Sequence, residues 1–146
     1  MSRLLQQMGY FAATLLPQTT IAGAVTDQLS AVLPGLLSMQ VLTAQAVFLY
    51  GAGGTNVTAY VQTSFDQGVT WVDIACFQFT TAAATRISSV RTVTAVAANY
   101  TPTDGALTAN TIKDGLLGDR VRVKYTTTGT YSGATSLALF MVAKGD

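Results

Sequence analysis

From Leu36 onward the chain is built of short apolar-rich runs separated by glycine-marked breaks, and several of them alternate with the period of two expected of half-buried β-strands. Leu36 to Leu42 and Ala44 to Tyr50 are dense in apolar residues and stop at Gly51-Ala-Gly-Gly54. Val57 to Thr63 and Trp71 to Phe79 flank a short break; in the second run Trp71, Ala75, Phe77 and Phe79 share a face on which Asp73 is the polar exception. Arg86 to Val96 alternates less cleanly but is rich in Val, Thr and Ser, which suit strands. Further on, Val121, Val123 and Tyr125 oppose Arg120, Arg122 and Lys124, and Thr128 to Gly133 supplies a turn. The run Ser136 to Ala143 is apolar on both faces, with Leu137, Leu139 and Met141 on one side and Ala138, Phe140 and Val142 on the other, so it must be central or covered. About eight short strands with turns of this kind predict an all-β protein, a jelly-roll-like antiparallel β-sandwich.

Two segments lack the alternation. Residues 1–34 read as an extended N-terminal arm ahead of a sandwich domain over residues 35–146, and the apolar side chains of the arm, Leu4, Leu5, Met8, Tyr10, Phe11, Leu15 and Leu16, need a partner surface. The stretch Asn99 to Gly118 reads as a long loop with a short helix around Thr108 to Lys113, and long loops on compact domains often carry contacts. Candidate interface residues are therefore Leu4, Leu5, Tyr10 and Phe11 in the arm and Tyr100, Pro102 and Leu107 in the loop.

Composition adds a reason to look for interfaces. Of 146 residues only 10% are charged while 49% are hydrophobic, and the net charge is +1. A free soluble domain carries about 25% charged residues, so this pale surface suits a chain packed against other subunits and predicts self-association as a dimer or trimer. Arg120, Arg122 and Lys124 share one strand face, but Asp114 and Asp119 lie just upstream and no basic aromatic-rich run accompanies them. They read as a solvated face, with a salt-bridging edge as the rival, and no nucleic-acid partner is expected.

Between the two central runs lies Ser64-Phe-Asp66-Gln-Gly68-Val-Thr70-Trp71, which fits the Asp-box pattern at every defined position. It reads as a structural hairpin turn: Asp66 folds back onto backbone N–H groups, Gly68 takes a positive φ, and Trp71 anchors the next strand. Asp boxes recur once per blade in sialidase-like propellers, but one copy in a chain this short excludes that architecture.

Parts for catalysis are missing. The chain has no His and no Glu, which removes Ser-His-Asp and Cys-His arrangements and leaves seven Asp as candidate bases. Cys76, in an apolar run, reads as a small core residue, and one Cys without His builds no zinc site. Gly51-Ala-Gly-Gly54 lacks the Lys-Ser/Thr of a phosphate loop. An Asp66–Asp73 pair for glycoside cleavage is conceivable, but Asp66 is explained by its turn and Asp73 by a strand-end hydrogen bond. We therefore expect no enzyme, no cofactor, no metal and no small-molecule substrate. No run is long enough to span a membrane, and Gln6, Gln7 and Pro17-Gln18 interrupt any leader-like segment, so neither a membrane partner nor a cleaved signal is expected.

The run Gly53 to Ala75 containing Thr55, Gln62, Asp66, Gly68, Trp71 and Asp73, with the endings Asp119 to Tyr125 and Ser136 to Ala143, resembles small jelly-roll virion proteins of tailed bacteriophages. The resemblance spans roughly the last two-thirds of the chain and lies in pattern and hairpin motif. Within that group the chain looks most like a cement or decoration protein, which implies a place on the head surface and the major capsid protein as partner. A tail, baseplate or fibre-base protein is the alternative. A carbohydrate-binding sandwich with Trp71 as the stacking platform is the second alternative.

Overall fold

Two four-stranded antiparallel sheets pack face to face, with a small two-stranded antiparallel pair beside them. The structure, a computed structural model, describes residues 9–145 apart from 93 and 97, and of Tyr10 the backbone only. Its ten strands are β1 (Tyr10–Thr20), β2 (Gln28–Leu29), β3 (Val41–Leu49), β4 (Ala52–Gly53), β5 (Asn56–Ser64), β6 (Val72–Phe79), β7 (Ala84–Arg91), β8 (Arg120–Thr128), β9 (Tyr131–Ser132) and β10 (Ser136–Lys144). One sheet has the order β1-β10-β3-β7 and the other β2-β8-β5-β6, while β4 and β9 pair separately. With that small pair set aside, this interleaved order is that of a jelly roll, in which consecutive strands cross between sheets.

The core lies between the sheets. Leu42, Ala44, Ala46 and Phe48 of β3 and Leu137, Leu139, Met141 and Ala143 of β10 meet Val57, Ala59 and Val61 of β5, Val121 and Val123 of β8, and Phe77 and Phe79 of β6. Phe48 stacks on Phe79 with ring centroids 5.1 Å apart and meets Tyr131 edge-on at 5.9 Å. The glycines before β5 serve this end of the core: a Cβ on Gly54 would collide with the Tyr131 ring, and one on Gly51 or Gly53 with the backbone of residues 130–134, so the segment is glycine-rich because the chain around β9 packs against its backbone.

The expected arm is corrected by the structure. Its middle part is β1, an eleven-residue edge strand paired along β10, with Phe11, Leu15 and Leu16 in the core. Its alternation is hidden because register shifts between Thr14 and Leu16 and between Leu16 and Thr19 let both Leu15 and Leu16 turn inward. Pro17 falls in this irregular edge region, where a missing ladder donor is tolerated. The sandwich therefore begins well before residue 35, and Phe11 is a core residue rather than an interface residue. Leu4 and Leu5 lie outside the described residues.

Three smaller expectations also change. The strand expected over Arg86 to Val96 runs from Ala84 to Arg91, and the apolar run at Leu36 is a turn closed by Met39 N donating to the Leu36 carbonyl. No helix forms at Thr108 to Lys113; that segment instead lies along the free edge of β6, bridging Ala75 to Ile112. Finally, β10 is central, between β1 and β3, yet the described residues leave Phe140 and Val142 on its second face partly exposed.

Candidate functional site

The Asp-box turn between β5 and β6 is built from its own side chains. The Ser64 hydroxyl donates to Asp66 Oδ1 at 2.9 Å, Thr70 N donates to the same oxygen at 2.7 Å, and Gly68 N donates to Ser64 Oγ at 2.8 Å. Gly68 has φ +93°, and the Trp71 indole N–H reaches the Gly68 carbonyl at 3.1 Å. The hydrogen bond from the Thr70 backbone, joined by the Thr70 and Ser64 side chains, holds the Asp66 carboxyl below its ordinary range. Both acceptor duties of this carboxylate go to the turn. Trp71 is 6% exposed and lies under the Arg122 guanidinium, 4.2 Å from the ring, so it offers no open platform for a sugar.

Asp73 departs from its parity. Pairing runs Val61↔Ala75 and then Gln62↔Asp73, so one extra residue on β6 moves Asp73 off the core face that it would share with Ala75 and places it opposite Gln62 on the outer side of the sheet. There the loop over residues 103–107 covers it completely. Gln62 Nε2 donates to Asp73 Oδ1 at 2.8 Å, Thr103 Oγ1 to Oδ2 at 2.9 Å, Ala106 N and Leu107 N to Oδ2 at 2.9 and 3.1 Å, and Gly105 N to both oxygens. A buried carboxylate so filled with donors is a loop anchor rather than a base facing substrate.

The cations of β8 are spent within the chain, which corrects the reading of them as a solvated face. Arg120 pairs with Asp119 at 3.0 Å, Arg122 donates to Gln62 Oε1 at 2.8 Å, and Lys124 meets Asp104 at 3.0 Å and Asp27 at 3.9 Å. Cys76 is buried, and burial pushes its thiol up to about 11. Among the described residues no group of three His, Cys, Asp or Glu is placed to hold a metal ion.

What the molecule does present is apolar surface, in two places. At the end where β3 begins and β5 finishes, Leu37 is 86% exposed, Val69 83% and Phe65 58%. Phe65 stands between two clefts. One, of about 400 Å³, is lined by Val72, Val96, Tyr100, Pro102 and Leu116 among others; the second, of about 390 Å³, runs past Leu37 and Leu117. Two of the three loop residues expected from sequence, Tyr100 and Pro102, are thus brought together at this end, with Lys113 Nζ 4.5 Å above the Tyr100 ring. Leu107 is not among them; it is half-buried beside the Asp73 anchor. Sequence reading missed Leu37, Phe65 and Val69, although a Phe and a Val at undefined positions of a hairpin turn were a visible signal.

The second surface is the outer side of the β1-β10-β3-β7 sheet. Phe140 and Val142 are each about two-fifths exposed, Gln45 and Thr43 flank them on β3, and Ile87 and Ser89 on β7. A depression of about 130 Å³ opens beside Phe140, between Gln18, Val47, Leu49 and Ala138. Among the described strand residues, charge appears on this face at one end, in the row of Lys144, Val41 and Arg91.

No family model matches the chain, and no curated protein matches it. Among solved structures it is similar to a CBM4 carbohydrate-binding module at 10% identity and a TM-score of 0.43, over 94% of this chain and 86% of that one. It is also similar to a family 11 carbohydrate-binding module from Clostridium thermocellum, in complex with a β-1,3-1,4-mixed-linked tetrasaccharide, at 9% identity and a TM-score of 0.40, over 94% and 88%. Likeness this distant carries no inference about ligand. The sandwich itself stands on its strand order and pairing.

Proposed function

We propose that the chain is a non-enzymatic structural subunit that bridges neighbouring proteins in a larger assembly, and specifically a cement or decoration protein on the outside of a tailed-phage head. One observation carries this reading: two exposed apolar patches sit apart on one sandwich, the loop end around Leu37, Phe65 and Val69 and the sheet face around Phe140. From Val41, at the loop end, to Val47, at the sheet depression, β3 rises ~20 Å. A body with two separated contact surfaces holds two neighbours at once, which is what clamping adjacent capsomers against internal pressure requires. A monomer in free solution gains nothing from three large side chains at a loop tip.

Binding that occurs only on the assembled, expanded shell stabilises that shell by mass action. Full burial of Leu37, Phe65 and Val69 contributes about 1.5–3 kcal/mol each before ordering costs are subtracted. The test is occupancy on expanded heads of the phage that encodes the chain. The wild-type protein saturates at a fixed copy number and raises the temperature of genome release, and the double variant Phe65→Ser, Val69→Ser, with unchanged melting of the isolated domain, loses occupancy. Full decoration by that variant would sink the reading. Copy number and position in an imaged particle separate a head protein from a tail, baseplate or fibre-base protein.

A further inference from the structure

On the outer side of the β2-β8-β5-β6 sheet, at the opposite end from Phe65, the strands floor an open groove of about 410 Å³ that the assembly reading does not use. Its floor is Thr58 and Tyr60 of β5, Thr126 and Thr128 of β8 and Gln78 of β6, and its walls are Thr26-Asp27 on one side and Gly105 on the other. We propose that this groove binds a neutral oligosaccharide, with Tyr60 as the aromatic contact.

Four features carry the proposal. First, the volume falls within the ~300–1,000 Å³ usual for small-ligand sites. Second, part of the hydrogen-bonding capacity of the groove is unspent: Thr58 pairs with Gln78 and Thr126 with Asp27, but the side chains of Asn56, Tyr60 and Thr128 make no hydrogen bond to another described residue. Hydroxyl and amide groups of this kind, both donors and acceptors, match the hydroxyl-dense edge of a sugar, and Tyr60 adds an apolar ring with a polar tip. Burial, together with the nearby Cys76, Asp73 and Asp27, holds the phenol of Tyr60 above its ordinary value, so it stays a neutral donor.

Third, both walls are fixed in advance. Gly105 is tied down by the buried carboxylate of Asp73. Asp27, at φ +50°, is locked to Thr126 by its own N–H at 2.9 Å and by the Thr126 hydroxyl on its carboxylate at 3.2 Å. A ligand then meets a preorganised groove and orders little on binding. Fourth, charge selects against the other candidate ligands. Asp27 is the one charged side chain in the lining, and Lys124 nearby is held by Asp104 and Asp27, so the groove itself presents a carboxylate, which suits a hydroxyl donor rather than a polyanion.

The experiment is protein-observed NMR titration of the full chain with four named probes, cellohexaose, laminarihexaose, maltohexaose and mannohexaose, and with heparin as the polyanion. The expected result is saturable shifts at Thr58, Tyr60, Thr126 and Gln78 with at least one neutral probe, at a dissociation constant of about 1 mM or below. Tyr60→Ala should weaken that binding at least tenfold. Because Tyr60 is half-buried, Asn56→Ala and Thr128→Ala, at positions that spend no side-chain hydrogen bonds on the fold, provide a second test and should each weaken it severalfold with unchanged melting. Phe65→Ser, Val69→Ser should leave it intact, which separates this site from the assembly surface. The proposal is overturned if no neutral probe shifts these residues, if heparin alone binds, or if binding survives both Tyr60→Ala and Asn56→Ala.

Discussion

Replacing Asp73 tests whether one buried carboxylate holds the long connection between β7 and β8 in place. In the native chain that carboxylate accepts from Gln62, Thr103, Gly105, Ala106 and Leu107 while it is itself fully buried. Hydrogen bonds to a charged group are worth roughly 1.5–3 kcal/mol each, and they do not add when they belong to one network. Asp73→Asn keeps the shape but turns an N–H₂ toward donors, so about 2–3 kcal/mol is lost from that side of the acceptor. Asp73→Ala leaves three backbone N–H groups without their partner, and the loop detaches rather than leave them buried; about 3–5 kcal/mol is expected, a large part of the ~5–15 kcal/mol of a whole domain. Urea unfolding gives the stability change, and amide exchange at Gly105, Ala106 and Leu107 reports whether the loop opens. An Asp73→Asn protein within about 0.5 kcal/mol of wild type, with unchanged protection at those amides, would refute the anchor. Loss of the Gly105 wall should also weaken oligosaccharide binding in the groove.

Removing residues 1–20 should unfold the domain rather than release a free arm, because β1 supplies Phe11, Leu15 and Leu16 at about 1.5–3 kcal/mol each and covers one edge of β10; circular dichroism decides, and a folded, cooperatively melting truncation would contradict it. Gly54→Ala should destabilise the β4-β9 end through its clash with Tyr131, read as a lower melting temperature; an unchanged one would mean that the ring moves aside at no cost. The Asp66 carboxyl is held below its ordinary 3.8, so the stability it contributes is present above that value and is lost as pH falls through the lower folded value; Asp66→Asn should flatten the melting temperature's acid dependence below about pH 4, and an unchanged slope would count against the turn geometry. Cys76 should resist a thiol reagent at neutral pH until the protein unfolds, and rapid modification of the native chain would show that its burial is misplaced.

The sequence by itself determined what local patterning can determine. Apolar runs, several of them alternating with period two, located six of the seven long strands of the two sheets, β3 and the five strands from β5 to β10 apart from the short β9, because the pleat imposes alternation wherever only one face is buried. The turn at Ser64 to Trp71 was legible because its hydrogen bonds join residues at most four apart. Only the tertiary structure decided the rest, and in each case the reason is non-local. Bulges opposite β10 put Leu15 and Leu16 side by side in the core, so a strand read as an arm; one extra residue in β6 carried Asp73 from the inner face to the outer, where a loop thirty residues away closes over it. The spent cations of β8, the apolar end around Phe65 and the groove around Tyr60 are likewise meetings of distant segments. Sequence periodicity shows which face of a strand is apolar; which neighbour covers that face, or leaves it bare, follows from strand order and loop path alone.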